Sequence, residues 1–300
     1  MANDANIFKR GSGSDAYVVP EIWQNQIEAL ARENNILLGL TGSILVEDRS
    51  GAGAGDKVNF PIQGALLSAA AVTDGNSIGI SAVSFTEVEV TATIKGVAVQ
   101  MTLKQLRDQL SAAEPFVVSD LGKALGDKEE SDIFTELYTT TSTEVYPGAK
   151  TDADIASTDT LAVAEINKAM VSMRTANRKP MYLVIHPKQE GDLRVLQQFT
   201  DASYYGSSDV VANGEIGRFY GLKVFSSTKV GTSAEGVGDL VTVYKALMLG
   251  PRAAVFYIRN KPVFEMNRNL IQDLSVTMQA WEDYGVQILN QESIRIVKSA

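Results

Sequence analysis

The chain contains no cysteine and only one histidine among 300 residues. Without cysteine it has no disulfide, no thiol nucleophile and no cysteine–zinc site, which suits a protein made in a reducing cytoplasm. A lone histidine, His186, does not make a zinc site. No apolar run is long enough to span a bilayer, and the N-terminus lacks the apolar core of a signal peptide. We therefore expect no metal, no cofactor and no membrane partner.

Basic residues are also scarce relative to acidic ones. The net charge is −9 and the isoelectric point is near 4.8, which argues against a specific nucleic-acid binder. An acidic protein surface can nevertheless lie beside nucleic acid without binding it tightly. The charge therefore does not exclude DNA as a neighbour. The 45% apolar content is ample for a real core, in more than one lobe.

The most distinctive segment is Ile44–Met101, which has the pattern of a β-arm. Lys57–Gln63 is a predicted strand that follows a Gly-rich stretch, and Ala65–Ala82 is a tip of small and polar residues. The return segment, Val83–Met101, is rich in β-branched residues and alternates in polarity. One face of it carries Val88, Val90, Ala92 and Ile94, and the other carries Glu87, Glu89, Thr91 and Thr93.

The length of this return segment favours an arm that leaves its own globule. Nineteen residues reach roughly 60 Å as a strand, whereas a compact 300-residue globule is about 50 Å across. An isolated two-stranded ribbon is marginal in water, so it should lie on another surface. An ordinary meander of two short strands remains open, because the apolar phase slips between Phe85 and Val88 and Gly96 interrupts the run.

The rest of the chain has an α+β pattern. Helical spacing begins at Pro20, recurs briefly over Leu103–Leu110, and predicts a long helix from Phe116 to about Thr140. The loop Pro147–Thr160 is the best internal boundary. Helices are predicted beyond it over Leu161–Ala176 and Lys188–Phe199, and strands over Met181–Ile185, Leu222–Phe225, Leu240–Leu249, Ala253–Ile258, Ile271–Trp281 and Val286–Val297.

No catalytic constellation emerges. His186 precedes a proline, and we expect its imidazole to satisfy a local backbone group rather than to act as a base. The Gly-rich Ser50–Asp56 fits neither phosphate-binding fingerprint and is interpreted as a flexible turn. The carboxylates form three groups: Asp152, Asp154 and Asp159 in a solvated loop; Glu129, Glu130 and Asp132 on the wet face of the long helix; and Glu282 with Asp283 on opposite faces of a strand.

Several stretches resemble, in the same order, the major capsid proteins of tailed bacteriophages. Asn213–Thr228 (NGEIGRFYGLKVFSST) carries the most recognisable pattern, a Gly-Glu-Ile-Gly turn before a strand and a Ser/Thr-rich exit. The other stretches are Gly55–Pro61, Asp154–Ile166, Tyr182–Leu193 and Trp281–Val297. No single motif is as specific as a catalytic signature, but together they cover nearly the whole chain after the first twenty or so residues.

The resemblance implies the phage HK ninety-seven capsid fold. It implies an N-terminal arm and short helix over 1–43, an extended β-hairpin loop over 44–101, and a peripheral domain with a long spine helix over 102–160. An axial domain over 161–265 and C-terminal strands returning to the peripheral domain over 266–300 complete the division. Such proteins form hexamers and pentamers of an icosahedral virion shell around double-stranded DNA, assembled in the cytoplasm of the bacterial host.

The resemblance also implies the contacts of the arm. The hairpin should lie over a neighbouring subunit through Val83, Phe85, Val88, Val90 and Ile94, with Gly51, Gly53 and Gly55 as its hinge. Some members of the family crosslink the hairpin tip through a lysine, but this chain has no Lys or Arg between Lys57 and Lys95. We therefore expect non-covalent contacts.

Other partners and two rival functions complete the expectations. The expected partners are a separate scaffolding protein, a portal, non-specifically contacted DNA and a decoration protein. An encapsulin-like nanocompartment shell would use the same fold around an enzyme cargo. A soluble α+β enzyme is the remaining alternative.

Overall fold

The computed structural model describes residues 35–50, 55–63, 69, 71, 85–102, 113–142, 144–195, 218–236, 240–269 and 275–300. Residues 1–34, which hold most of the predicted N-terminal arm and its helix from Pro20, and the predicted helix Leu103–Leu110 lie outside these residues. The helices are α1 (Ala113–Tyr138), α2 (Val163–Thr175) and α3 (Pro187–Val195), and short 3-10 turns occupy Leu37–Gly39, Pro147–Ala149, Asp152–Asp154 and Gln291–Ser293. The strands are β1 (Ile44–Asp48), β2 (Lys57–Gln63), β3 (Phe85–Thr91), β4 (Thr93–Thr102), β5 (Glu144–Val145), β6 (Tyr182–Ile185), β7 (Arg218–Phe219), β8 (Leu222–Ser226), β9 (Thr232–Glu235), β10 (Val241–Leu249), β11 (Ala254–Asn269), β12 (Ser275–Ile288) and β13 (Ile294–Ser299).

A four-stranded sheet in the order β1-β11-β12-β4 supports the long helix α1. The first half of α1 packs Val118, Leu121 and Leu125 on inward-facing residues of β12 such as Met278. Its last turns enter a second core with Phe256 and other residues of both sheets. At 26 residues the helix is ~39 Å long, so one element connects two parts of the core. The predicted spine helix is confirmed.

A seven-stranded mixed sheet, in the order β5-β13-β10-β6-β8-β7 with β9 beside β10, forms the other lobe. Leu247 and Leu249 of β10 face the core shared with α1, whereas Ala246 and Met248 face the core under α2 and α3. Both faces of β10 are thus covered. This explains the continuous apolar run from Ala246 to Leu249, which does not alternate as a half-exposed strand would.

The remaining pair, β2 and β3, forms a separate antiparallel ribbon. Seven residues a strand give it a length of ~23 Å, shorter than the arm predicted over 44–101. The difference arises because β1 pairs in parallel with β11 and β4 pairs with β12, so both belong to the four-stranded sheet. The chain between the two ribbon strands lies almost wholly outside the described residues.

The last strands pair differently from the predicted domain ranges. β11 is already in the four-stranded sheet from Ala254, well before the predicted boundary at 265/266. β12 stays in that sheet, but β13 crosses back to lie between β10 and β5 in the seven-stranded sheet. The C-terminal strands therefore divide between the two sheets, because alternation in sequence does not reveal which sheet a strand joins. The division into peripheral and axial domains stays a prediction.

Candidate functional site

The base of the ribbon is fixed to the four-stranded sheet by apolar packing. Val58 of β2 and Val90 and Ala92 on the return side pack on Val255 and Tyr257 of β11. In β11, Ala254 and Phe256 point instead to the core containing α1. Successive strand residues face opposite sides of a sheet. The ribbon therefore covers the face that the spine helix leaves open.

Polar contacts hold the same base. The Arg259 guanidinium lies 2.6 Å from Asp56 at the start of the ribbon and 3.0 Å from the buried Asp283. The Tyr257 hydroxyl donates to the Gly55 carbonyl at 3.2 Å, and Ala92 N–H donates to the Asp56 carbonyl at 2.9 Å. The ribbon is thus anchored from Gly55 onward.

The predicted hinge of the arm involves three glycines. Gly51 and Gly53 lie outside the described residues. Gly55 stands at the edge of the anchored base, and a Cβ there would meet only the Lys57 carbonyl, at 3.9 Å. A hinge in this segment stays a prediction.

The five residues predicted to contact a neighbour divide into four groups. Phe85 is 65% exposed and Ile94 is 70% exposed, so both offer apolar surface to another molecule. Val88 is half-buried on the inner face of the ribbon. Val90 is fully buried in the chain's own core, so its side chain is not exposed to a neighbouring subunit. Val83 lies outside the described residues.

A change of phase between β3 and β4 explains why Ile94 does not share the face of Val90. Val90 and Ala92 point toward the ribbon core, but after the break at Ala92 the residues that turn toward the helix are odd-numbered. The Lys95 ammonium donates to the Tyr284 backbone carbonyl at 3.2 Å and lies 4.1 Å from the centre of the Tyr284 ring. Ile94 is consequently turned outward, a result that the continuous alternation in sequence did not indicate.

The polar middle of the spine helix corrects another expectation. Glu129 and Glu130 are 5% and 3% exposed, not solvated. Glu129 accepts from the Asn35 amide at 3.4 Å, and Glu130 accepts from Ile36 N–H at 3.3 Å and lies 3.5 Å from Lys229. The expectation failed because these partners come from distant parts of the chain.

The electrostatics of this interface follow from burial. Burial raises the pKa of Glu130 despite the neighbouring Lys229. Burial lowers the pKa of Lys95, because the charged form loses water. The nearby Asp132 carboxylate raises that pKa, but by less than burial lowers it. Asp132 also accepts from the Tyr284 hydroxyl at 2.9 Å and from Lys128 at 2.7 Å. The helix is therefore bound to the sheet through charges as well as through apolar contacts.

The other singled-out polar residues have structural partners. His186 Nδ1 accepts from Lys188 N–H at 3.1 Å, which confirms the local backbone role, and its ring stacks on Tyr244 at 4.4 Å. Asp159 pairs with Lys150 at 2.7 Å, and Asp154 accepts from Thr151 at 2.7 Å.

The part of the chain that the structure describes holds neither a metal-binding cluster nor a membrane-spanning helix. No cluster of three or more His, Cys, Asp or Glu residues there is arranged to hold a metal ion. None of the helices in that part is long and apolar enough to cross a membrane.

Comparison with solved structures defines the class of protein. The capsid of Ralstonia phage GP4 has a TM-score of 0.67 at 17% identity, with 86% of this chain and 87% of that chain covered. The capsid of the Helicobacter pylori bacteriophage KHP30 gives 0.67 at 13%, with 88% and 91% covered. The capsid of cyanophage Pam1 gives 0.65 at 14%, with 87% and 89% covered. The fold is that of HK ninety-seven-type phage capsids.

The family assignment rests on sequence as well. The family model described as "Phage capsid protein" matches residues 85–299. No protein of curated function is similar enough in sequence to count as a relative. The chain belongs to the phage capsid protein family, and it is accordingly a structural component of the virion and not an enzyme. The resemblance inferred from the sequence is confirmed.

Proposed function

We propose that this protein is the major capsid subunit that assembles into the hexamers and pentamers of an icosahedral shell enclosing double-stranded DNA. Capsid structures with the same fold imply self-assembly into shells. The observation that carries the proposal is the exposure of Phe85 and Ile94, at 65% and 70%, on the ribbon and beside its base. Contact with another protein would remove both apolar side chains from water, which is favourable.

The partner that fits this surface is a neighbouring copy of the same chain. Phe85 lies on the outer face of the ribbon, in phase with Glu87 and Glu89. Both carboxylates have partners within the ribbon: Glu89 pairs with Lys57 at 2.5 Å, and Glu87 accepts from the Asn59 amide at 3.2 Å. The outer face thus offers an apolar contact framed by internally satisfied charges. Burying Phe85 and Ile94 across a subunit boundary would stabilise a capsomer by about 1.5–3 kcal/mol for each side chain.

Further partners belong to the same proposal. A scaffolding protein, a portal and a decoration protein would act with the shell during assembly in the host cytoplasm, and packaged DNA would be contacted non-specifically. The net charge of −9 suits a wall that does not bind DNA tightly. The family match favours a phage capsid over an encapsulin-like compartment. DNA inside purified particles separates these two functions.

The test replaces Phe85 and Ile94 together by serine. Each is exposed in the single chain, so the subunit should fold with an unchanged thermal midpoint while shell formation falls at least about tenfold, since the lost contact exceeds ~1.4 kcal/mol. The measurement is particle yield by sedimentation and electron microscopy. Val171→Ser, at a residue 55% exposed on α2, is the matched control and should assemble normally.

A deletion of residues 65–82 gives a second arm of the same experiment. It should leave a folded subunit that does not assemble. Normal shells from both the serine variant and the deletion would overturn the role assigned to the ribbon. A wild-type protein that remains a monomer or dimer at high concentration would overturn the capsid proposal itself.

A further inference from the structure

One arginine contacts the start of the ribbon and the sheet beneath it at the same time. The register of β11 and β12 shifts between Ile258 and Asn260, so Arg259 is the extra residue of a β-bulge. A bulge redirects a side chain out of the regular alternation of its strand. The bulge thus places a single cation between the ribbon and β12.

The two carboxylates that share this cation differ in burial. The same guanidinium nitrogen of Arg259, Nη1, lies 2.6 Å from Asp56 Oδ1 and 3.0 Å from Asp283 Oδ2. The side chain of Asp56 is 69% exposed, whereas that of Asp283 is 1% exposed. An exposed ion pair contributes little to stability, but a buried carboxylate that loses its partner is costly. Asp56 therefore leaves the arginine more easily than Asp283 does.

The buried carboxylate also has an unused oxygen. Asp283 Oδ1 is buried and forms no hydrogen bond with the described part of the chain. A guanidinium can bind both oxygens of one carboxylate through two parallel N–H groups. When Asp56 moves away, Arg259 can turn onto both oxygens of Asp283. The ribbon is then released without leaving the buried aspartate or the arginine unpaired.

The other contacts of the ribbon base are compatible with a tilt. The Asp56 carbonyl accepts from Ala92 N–H at 2.9 Å, and this bond joins the two sides of the ribbon to each other. Contact with β11 is made by apolar side chains such as Val58 and Val90. The hydrophobic effect is non-directional, so this packing holds the ribbon on the sheet without fixing its angle. The ion pair is directional and adds that restraint.

We propose that Arg259 is a positioning residue for the ribbon that exchanges between Asp56 and Asp283. With the Asp56 pair formed, the ribbon base lies against the sheet as in the structure. With the guanidinium on both oxygens of Asp283, the base is released and tilts. In the proposed shell, a contact made on the ribbon by another subunit would favour one of these two states. The exchange itself takes place within one subunit and therefore goes beyond the proposed function.

The absence of native cysteine provides the measurement. Ala92→Cys places a thiol at a buried position under the ribbon base, where it reacts with a thiol reagent only when the base opens. The labelling rate of the unassembled subunit reports the open fraction. Val58→Cys, at a buried position on the other ribbon strand, replaces Ala92→Cys if the latter subunit does not fold.

Neutralising the two carboxylates should change this rate in opposite directions. Asp56→Asn removes the partner on the ribbon and should raise the rate about threefold. Asp283→Asn removes the alternative site of the cation, so Arg259 stays with Asp56 and the rate should fall by a similar factor. Asp283→Ser takes its place if that subunit does not fold. Asp56→Glu keeps the charge and should restore a rate close to that of wild type.

Salt and a matched substitution provide the controls. Salt at about 1 M screens exposed charges, so it should raise the wild-type rate toward that of Asp56→Asn and should change the rate of that variant little. Asp48→Asn removes a carboxylate that lies 3.3 Å from Lys261, outside the ribbon. This substitution should leave the labelling rate unchanged.

The remaining outcomes separate the exchange from a static ion pair. Increases in both Asp56→Asn and Asp283→Asn would overturn the exchange, because a static pair loosens when either carboxylate is lost. An unchanged rate in Asp56→Asn would overturn the positioning role of Arg259. Labelling uses the unassembled subunit, so either result leaves the shell function standing. Absence of shells from the wild-type protein overturns the proposed function and leaves the labelling result intact.

Discussion

At the scale of single residues, the seven-stranded sheet is held at one end by a buried lysine. The Lys298 side chain is 5% exposed and lies 2.6 Å from Glu144 and 2.7 Å from Glu235. Its ammonium also donates to the Tyr146 hydroxyl at 2.8 Å. Burial alone would lower the pKa of Lys298, but the hydrogen bonds to these partners raise it above its ordinary value. One cation therefore connects β13 to β5 and β9.

Replacing this cation should destabilise the subunit strongly. Lys298→Met leaves the buried Glu235 carboxylate without its partner, and we expect the free energy of unfolding to fall by about 3–5 kcal/mol. Chemical denaturation of the unassembled subunit measures this loss. Lys57→Met removes an ion pair whose side chains are 60% and 50% exposed, and should cost under about 1 kcal/mol. Equal losses in the two variants would contradict the role of Lys298.

The buried carboxylate Glu130 should make stability depend on pH. Its folded-state pKa lies above the unfolded value because of burial, so the ionised side chain opposes folding at neutral pH. This penalty disappears as the pH falls through the folded pKa toward the unfolded value. Glu130→Gln should therefore raise the thermal midpoint at pH 7, and the gain should shrink toward zero as the pH falls below the ordinary glutamate pKa value of 4.5.

An exposed carboxyl of the same helix serves as the control for this measurement. Asp120→Asn removes an exposed carboxyl and should change the thermal midpoint at pH 7 only slightly. Comparison of each variant with wild type at the same pH cancels the other titrating groups. A Glu130→Gln gain that grows as the pH falls would contradict the assignment.

At the scale of elements, helix α1 and the ribbon differ in how far they could be predicted. The stripe of Leu121, Leu125, Ile133 and Leu137 repeats at helical spacing, so the spine helix follows from local sequence. The ribbon boundaries do not follow from local sequence, since the alternation of β3 continues through Ala92 to Ile94 and changes phase only at Gly96. The break at Ala92 becomes visible only where β3 pairs with β2 and β4 pairs with β12.

The seat of the ribbon depends on a glycine in β12. A Cβ on Gly285 would lie 2.4 Å from the Thr91 carbonyl oxygen, which belongs to the ribbon backbone and cannot turn away. Gly285→Ala should therefore push the ribbon base off the sheet and cost about 1–3 kcal/mol. Thermal denaturation and limited proteolysis near Gly55 are the measurements.

A helical glycine provides the comparison for Gly285. A Cβ on Gly191 in α3 meets nothing within 4 Å, so Gly191→Ala should stabilise the subunit by about 0.5–1 kcal/mol. If Gly285→Ala changed neither the thermal midpoint nor the resistance to proteolysis near Gly55, the ribbon would not pack on the sheet as described.

At the scale of the whole molecule, the two sheets form one subunit because they share a core. Leu247 and Leu249 of β10 pack in the same cluster as Phe256 of β11 and Phe134 of the spine helix. The hydroxyl of Tyr138 adds a polar link, donating to the Lys245 carbonyl and accepting from Gly231 N–H, each at 2.8 Å. Movement of one lobe relative to the other would break these contacts. If the protein assembles as proposed, the difference in shape between subunits of hexamers and pentamers would therefore be taken up by the ribbon and its predicted hinge.

The sequence by itself determined the composition of the cores, the spine helix, the alternation of the strands and the family resemblance. These depend on local periodicity and on residue order, which a single chain displays directly. Only the tertiary structure decided which face of each strand is covered. It buried Val90 and Glu130, exposed Ile94 and brought Asp56 and Asp283 to one arginine. Such outcomes depend on contacts between residues far apart in the chain, and no local pattern encodes them.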